Sequence, residues 1–339
     1  MRTAPLFAGL ILTASGLAYG AAAAAAQNCR LIRIDEWSVL PDIPQPVLEG
    51  TINGRPIGVL IDTGMAGEEG ALLERALARR LGVPVMPDPN RTVGGIGGET
   101  RVEIGLISEI RIGEAKRQNW LVLVAGEQQR DIGVFIIGNR FFKDHEVEFD
   151  LSRQRVRLFK SEDCRGVSLA YWARSATEVP IKINKWITVK LLLNGTPVVA
   201  MLDSGAATTV IDTSVIARIG AESQLRTAPP GRCLRGFGKQ AVQSQIGEFD
   251  TFAIGDELIR NPKIYFADLR KDVPRDRFLF FEIPVYELPE MILGADFLHA
   301  HRVLVSQPHG KLFFTYEGGT VFPIGAAPAC SEEAVKPKQ

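Results

Sequence analysis

The sequence predicts an all-β fold with minor helices, arranged as two tandem β-barrel lobes related by a pseudo-two-fold axis. Three observations carry that expectation. Most apolar segments are short and bounded by Gly, Pro or Asn, the pattern of strands in barrels and sandwiches. The same blocks of sequence occur twice in the same order. The length, 339 residues, is enough for two separate cores.

The repeat begins where residues 47–64 align with residues 188–205. Asn53-Gly54 falls on Asn194-Gly195 and Asp62 falls on Asp203, each pair 141 positions apart. Each copy reads as a strand, an Asn-Gly hairpin turn, then an apolar strand ending in Asp-[Thr/Ser]-Gly. At the same offset Gly95-Ile96-Gly97 falls on Gly236-Phe237-Gly238. Residues 135–142 match residues 291–298, now 156 apart, so the second copy carries an insertion, placed at 268–290. Both copies close with a strand–turn–strand pattern, over 147–159 and 303–315. A helix is expected over 68–81, with Glu68 and Glu69 at its N-terminus and Leu72, Leu73, Ala76, Leu77 and Leu81 on one side. Its counterpart starts at Asp212-Thr213-Ser214, a capping sequence, and buries Val215, Ile216 and Ile219. The resulting division is a leader at 1–26, lobes at 27–165 and 166–330, and a polar tail at 331–339.

Residues 1–26 combine Arg2, an apolar stretch from Leu6 to Leu17 and an alanine tract with small-x-small sites. That is the build of a cleavable signal peptide, too short and interrupted for a membrane anchor. The chain is therefore expected to be exported, to a periplasm or the exterior, with no stable membrane insertion after cleavage. Cys29, Cys164, Cys233 and Cys330 would then meet an oxidising compartment, and their three possible pairings stay open.

Composition narrows the chemistry. Lys and Arg number 39, as do Asp and Glu, so no net field draws the chain to nucleic acid. No Cys-x-x-Cys, HExxH or Cys/His cluster is present, so neither a metal nor another cofactor is expected. His145, His299, His301 and His309 read as surface or packing residues, and Asp144 and Asp150 as turn or strand-edge groups. Trp37, Trp120, Trp172 and Trp186 read as core or interface anchors.

The candidate chemistry rests on Asp62 and Asp203. A pseudo-two-fold axis brings them together, and two carboxylates in contact share one proton because both cannot ionise cheaply. The ionised member takes a proton from water while the protonated member polarises a carbonyl. Thr63 and Ser204 can hydrogen-bond across the interface, and Gly64 and Gly205 let backbone N–H groups approach the carboxylates.

These residues resemble the aspartic proteases of the retropepsin/pepsin clan, a clan known for sharing one proton between two carboxylates. Leu60-Ile61-Asp62-Thr63-Gly64 and Met201-Leu202-Asp203-Ser204-Gly205 match its catalytic motif, and Ile292-Leu293-Gly294-Ala295-Asp296-Phe297 its second signature. Val93-Gly94-Gly95-Ile96-Gly97-Gly98 is similar to a retroviral protease flap tip, and Arg235-Gly236-Phe237-Gly238 suggests a second flap. The resemblance implies two retropepsin-like lobes, catalytic Asp62 and Asp203, and flaps that bind substrate through Gly94, Gly95, Ile96, Gly97, Gly98, Gly236, Phe237 and Gly238. It implies an endopeptidase that takes peptide or protein in extended form and works as a monomer, both halves being in one chain. The sequence departs from the pattern in the first copy, where Met65-Ala66-Gly67 lacks the usual hydroxyl and Asn139-Arg140 stands opposite Ala295-Asp296. Those departures motivate an alternative, a non-catalytic protein that binds peptides or partners in the same cleft. A zymogen, with the residues before the first repeat in the cleft, is a further option.

Overall fold

The computed structural model describes residues 28–126, 133–238, 240–271, 275–278, 281–284, 289–325 and 329–330. The leader expected at 1–26 and the tail at 331–339 lie outside the described residues.

In each half, six strand positions close into a barrel. The first runs Val47–Ile52, Arg55–Asp62, Val134–Gly138, Ala71–Glu74, Ala115–Ala125 and Gly98–Ile112, and closes where Thr51 pairs with Arg111 and Ile52 with Ile110. The second follows the same order through Ile187–Leu193, Thr196–Leu202, Met291–Leu293, Val210–Asp212, Lys263–Ala267 and Ala241–Glu248. It closes through Thr251–Ile254, where Leu192 pairs with Ala253 and Leu193 with Phe252. The turns that start each barrel need residues tolerant of positive φ. Asn53 and Gly54 have φ of 49° and 76°, and Asn194 and Gly195 have 48° and 75°, the geometry of tight hairpin turns.

Two central pairings are parallel: Arg55–Asp62 against Val134–Gly138, and Thr196–Leu202 against Met291–Leu293. Val134–Gly138, Met291–Leu293 and the ends of the two strands that lead to the aspartates are buried on both faces, which explains why they read as continuous apolar runs rather than alternating ones. They also deliver Asp62 and Asp203 to the ends of rigid central strands.

A shared antiparallel sheet joins the lobes. Its order is Arg30–Ser38, Arg155–Glu162, Glu146–Asp150, His301–Ser306, Lys311–Tyr316 and Thr177–Ile183, three strands from each half. At its centre Glu148 pairs with Leu304, flanked by Val147 with Val305 and Phe149 with Val303. Because Glu148 and Leu304 are equivalent positions of the repeat, the pseudo-two-fold axis passes between them. The connection over 163–176 packs on this sheet, burying Leu169 and Ala170, and Trp172 Nε1 donates to Thr315 Oγ1 at 2.8 Å. Of the three cysteine pairings, the structure has Cys29–Cys164 and Cys233–Cys330. Within 268–290, Arg275–Phe278 and Phe281–Pro284 form a separate two-stranded hairpin.

Two expectations need correction. The helix of the first copy spans only Arg75–Leu81, because Ala71–Glu74 is a strand held between Val134–Gly138 and Ala115–Ala125. Leu72 and Leu73 are buried on opposite faces of that strand, and a run buried on both faces imitates helical periodicity. Glu68 and Glu69 accordingly lie on a loop rather than at a helix start. In the second copy the helix Thr213–Arg218 is capped as expected, Ser214 N–H donating to Asp212 Oδ1 at 3.0 Å. Val215 and Ile216 are buried, while Ile219 is partly buried against the core.

Asp150 is the second correction. It is fully buried in the shared sheet beside Glu146 and Glu148 instead of lying at an edge. Burying carboxylates is costly unless cations meet them. Arg157 of the first lobe and Arg302 of the second both bond Glu148 Oε1, the latter at 3.0 Å, and Arg157 also reaches Asp150 Oδ2 at 3.1 Å. Arg153 reaches Asp150 Oδ1 at 3.0 Å. Arg157→Ala leaves Glu148 short of one cation at the axis, and we expect it to lower unfolding free energy by about 3 kcal/mol in urea titrations. A loss under about 0.5 kcal/mol, the size of an exposed pair, would show that this network does not hold the lobes.

Candidate active site

The two Asp-[Thr/Ser]-Gly turns meet on the axis and interlock. Thr63 Oγ1 donates to Leu202 O at 2.7 Å and accepts from Ser204 N–H at 2.9 Å. Ser204 Oγ donates to Ile61 O at 2.7 Å and accepts from Thr63 N–H at 3.0 Å. Each hydroxyl therefore bridges two backbone groups of the opposite lobe. Thr63 and Ser204 are buried beneath the cleft, where each hydroxyl donates one hydrogen bond and accepts one.

Above this lock the carboxylates are held symmetrically. Gly64 and Met65 donate backbone N–H to Asp62 Oδ1 at 2.9 and 3.0 Å. Gly205 and Ala206 donate to Asp203 Oδ1 at 2.9 and 3.1 Å. A Cβ on Gly64 would fall 2.4 Å from Asp203 Cγ, and one on Gly205 2.4 Å from Asp62 Cγ. Glycine is thus required by each opposed carboxylate, not by its own backbone angles. Asp203 lies in hydrogen-bonding contact with Asp62. Burial first, and the Asp62 charge second, push the Asp203 carboxyl well above the usual carboxylate range, against backbone N–H bonds that favour the anion.

The carboxylates open into a cavity of about 430 Å³ between the lobes. Each half supplies an apolar wall. Leu60, Met65, Leu72, Val102, Leu123 and Ile136 cluster on one side, and Met201, Val210, Leu234, Val242, Leu269 and Ile292 on the other. Two hairpins roof it: Val85–Gly95 with Gly98–Ile112, and Pro230–Arg235 with Ala241–Glu248. Each flap tip crosses to the opposite half, Phe237 packing on the first wall and Ile96 on the second. The tips bond where Gly238 N–H meets Ile96 O and Gln240 N–H meets Gly97 O, both at 3.2 Å. Gly94, Gly95, Ile96, Gly236 and Phe237 line the cavity. Gly97, Gly98 and Gly238 serve the tip contact instead. A Cβ on Gly97 would lie 2.0 Å from Gln240 O, and one on Gly238 1.9 Å from Gly97 C.

Several lining residues escape a sequence reading. Trp186 and Lys185 face the cavity, the Lys185 ammonium 4.6 Å from the Trp186 ring, so this tryptophan is more than a packing anchor. Burial pushes the Lys185 pKa down, partly offset by Glu99. Glu68, Glu69 and Arg91 also line it. The only signal for Trp186 is its position, one residue before a strand that starts next to the Asp203 strand. No His or Cys lines the cavity, and among the described residues no three of His, Cys, Asp and Glu are grouped to hold a metal ion.

The copies differ behind the carboxylates. Asp296 is buried and accepts from Thr209 Oγ1 at 2.6 Å, Thr209 N–H at 2.8 Å and Phe297 N–H at 2.9 Å. In the first copy Arg140 is exposed, and buried Asn139 donates to Lys185 O at 3.3 Å. The backbone scaffold is nevertheless the same, since Asn139 N–H donates to Met65 O at 3.0 Å and Ala295 N–H to Ala206 O at 2.8 Å. Met65 and Ala66 therefore leave the seating of Asp62 equivalent to that of Asp203.

Burial raises the Asp296 pKa to about 6, its three hydrogen bonds opposing the rise. The native state then binds more protons than the unfolded state between the ordinary carboxylate range and pH 6, so stability falls as pH rises through that window. The drop from this residue is at most about 3 kcal/mol. Asp296→Asn is expected to flatten the slope of unfolding free energy between about pH 4 and 6, whatever it does to absolute stability. An unchanged slope would place the titration elsewhere.

Two family models fall on the two halves of the chain. Residues 48–144 match a family model described as "gag-polyprotein putative aspartyl protease", and residues 188–297 match one described as "Aspartyl protease". A solved aspartic proteinase from Irpex lacteus is similar over 83% of this chain and 97% of its own, with a TM-score of 0.48 and 10% identity. No curated protein matches the sequence. The two matched segments each carry one Asp-[Thr/Ser]-Gly turn, and the chain belongs to the retropepsin/pepsin-like aspartyl proteases as two such domains in tandem.

Proposed function

We propose that the protein is an aspartic endopeptidase in which Asp62 and Asp203 activate water against a peptide bond. The observation that carries this reading is the opposition of the two carboxylates inside an apolar, two-flapped cavity. One shared proton gives the pair both roles. The ionised carboxylate accepts a proton from water as its oxygen attacks the scissile carbonyl carbon, and the protonated one donates to the carbonyl oxygen. The resulting diol collapses with proton transfer to the leaving nitrogen, so no acyl-enzyme forms. Interlocked turns keep both carboxylates in place, which lowers the reorganisation needed at the moment of reaction. The extended substrate would lie between the carboxylates and the flaps, and closure of the roof excludes water.

The proposal includes export as a monomer, with residues 1–26 as the leader; the two disulfides suit an oxidising compartment. Immunodetection of the chain in periplasmic or culture fractions tests it, and a purely cytoplasmic protein would overturn that part.

Cleavage of a denatured protein at acid pH, with and without pepstatin, tests the chemistry. Asp203→Asn is expected to lower turnover by about 10³-fold or more. The same variant should unfold at a higher temperature near neutral pH, because it removes a buried group whose ionisation opposes folding as pH rises. Full cleavage by Asp203→Asn would overturn the proposal. Saturable peptide binding without turnover by the native chain would instead favour the binding-only alternative.

A further inference from the structure

The two flaps are tied to the body by different chemistry. In the second, Leu234 and Val242 are buried, and Cys233 on the outer strand is joined to Cys330. Cys330 N–H donates to Gln243 Oε1 at 2.7 Å, and Gln243 Nε2 donates to Gly231 O at 2.9 Å. Eight positions before Cys330 the chain is held in the lobe, where Val321 and Phe322 are buried and Phe322 packs edge-on against Phe252 at 5.1 Å. This flap is covalently stapled to its lobe.

The outer strand of the first flap is largely exposed, with Val85 at 40% and Met86 at 65%. Its register slips between Asp88 and Thr92, so residues 89–91 bulge from the ladder. Arg91 from this bulge bonds Glu69 and also Asp88, the latter at 2.6 Å. Glu69 stands on the loop between Asp62 and Ala71–Glu74. That loop is longer than its counterpart: Asp62 to Leu72 spans 10 positions, whereas Asp203 to Val210 spans 7, Leu72 and Val210 pairing with the equivalent Ile136 and Ile292. The same loop carries Gly64 and Met65, whose N–H groups hold Asp62.

We propose that the Arg91–Glu69 ion pair is a latch that holds the first flap, the lid, closed, and that the Cys233–Cys330 disulfide makes the second flap a fixed jamb. Arg91 and Glu69 are then positioning residues. Closing the lid pairs them and braces the loop that seats Asp62, so closure and alignment of the carboxylate are coupled. The jamb supplies Phe237, Gly238 and Gln240 as the surface on which the lid lands. An ion pair of this exposure is weak enough to break in each cycle, and a disulfide is not. The mechanical claim does not require turnover; its kinetic consequence rests on the proposed peptidase activity.

Hydrogen exchange of the intact, oxidised protein tests the division. Amides of 92–100 should exchange faster than those of 233–238 and 240–243. Arg91→Ala, or salt of about 1 M, should speed the first group about three-fold and leave the second unchanged. In an Asp88→Asn background, which removes the like charge beside position 91, the double variant Arg91→Glu with Glu69→Arg should restore the rate of that background, which a merely structural loss would not. Cys233→Ser with Cys330→Ser should release the second group about ten-fold. Equal exchange of both flaps in the native protein, or no response to Arg91→Ala, would overturn the proposal. In peptide cleavage Arg91→Ala should lower kcat about three-fold with a smaller change in KM, and the charge-swapped variant should reverse it. The exchange pattern without any cleavage would support the lid and reject the peptidase reading, so the two failures are distinguishable.

Discussion

Everything at the centre of this molecule depends on four hydrogen bonds made by two hydroxyls. Thr63 and Ser204 each bond a carbonyl and an N–H of the other lobe. Buried and fully satisfied, they fix the separation of the two turns more tightly than packing alone, since any shift strands polar groups away from water. The glycine requirement at Gly64 and Gly205 follows from that fixed separation. It also contributes to the raised pKa of Asp203, which burial pushes up first and which the charge of Asp62, unable to move away, pushes up further.

The lock brings costs that the rest of the fold offsets. Asp203 and Asp296 are buried acids whose ionisation opposes folding. Against them stand two barrel cores, a shared six-position sheet and two disulfides that close separations of 135 and 97 residues. The shared sheet carries its own buried acids, but there Arg157 and Arg302 arrive from both halves and the charges join the lobes. Buried acids thus serve two ends: set against each other they make the carboxylate pair of the cleft, and set against arginines from both halves they join the lobes.

Much of this was legible in the sequence because duplication leaves a fixed offset. Asn53/Asn194 and Asp62/Asp203 keep the same spacing, and residues that a turn or a close approach requires are present in both copies. The misreadings share a physical cause. Leu72 and Leu73 pointed to a helix because a strand buried on both faces loses its alternation. Asp150 seemed peripheral because its cations, Arg153 and Arg157, identify themselves only once the sheet forms. The cysteine pairing is open for the same reason: Cys233 and Cys330 lie 97 positions apart and meet only in the folded chain. Glu69 and Arg91 meet across a loop and a bulge, two irregularities that periodicity does not see.

The central claim is that the lock forces two carboxylates to share a proton. Following the side-chain carboxyl ¹³C shifts of Asp62 and Asp203 across pH tests it directly. The account predicts two separated macroscopic steps belonging to the pair, one of them well above the ordinary carboxylate range. A single transition near pH 4 for both residues would show two independent acids and contradict it.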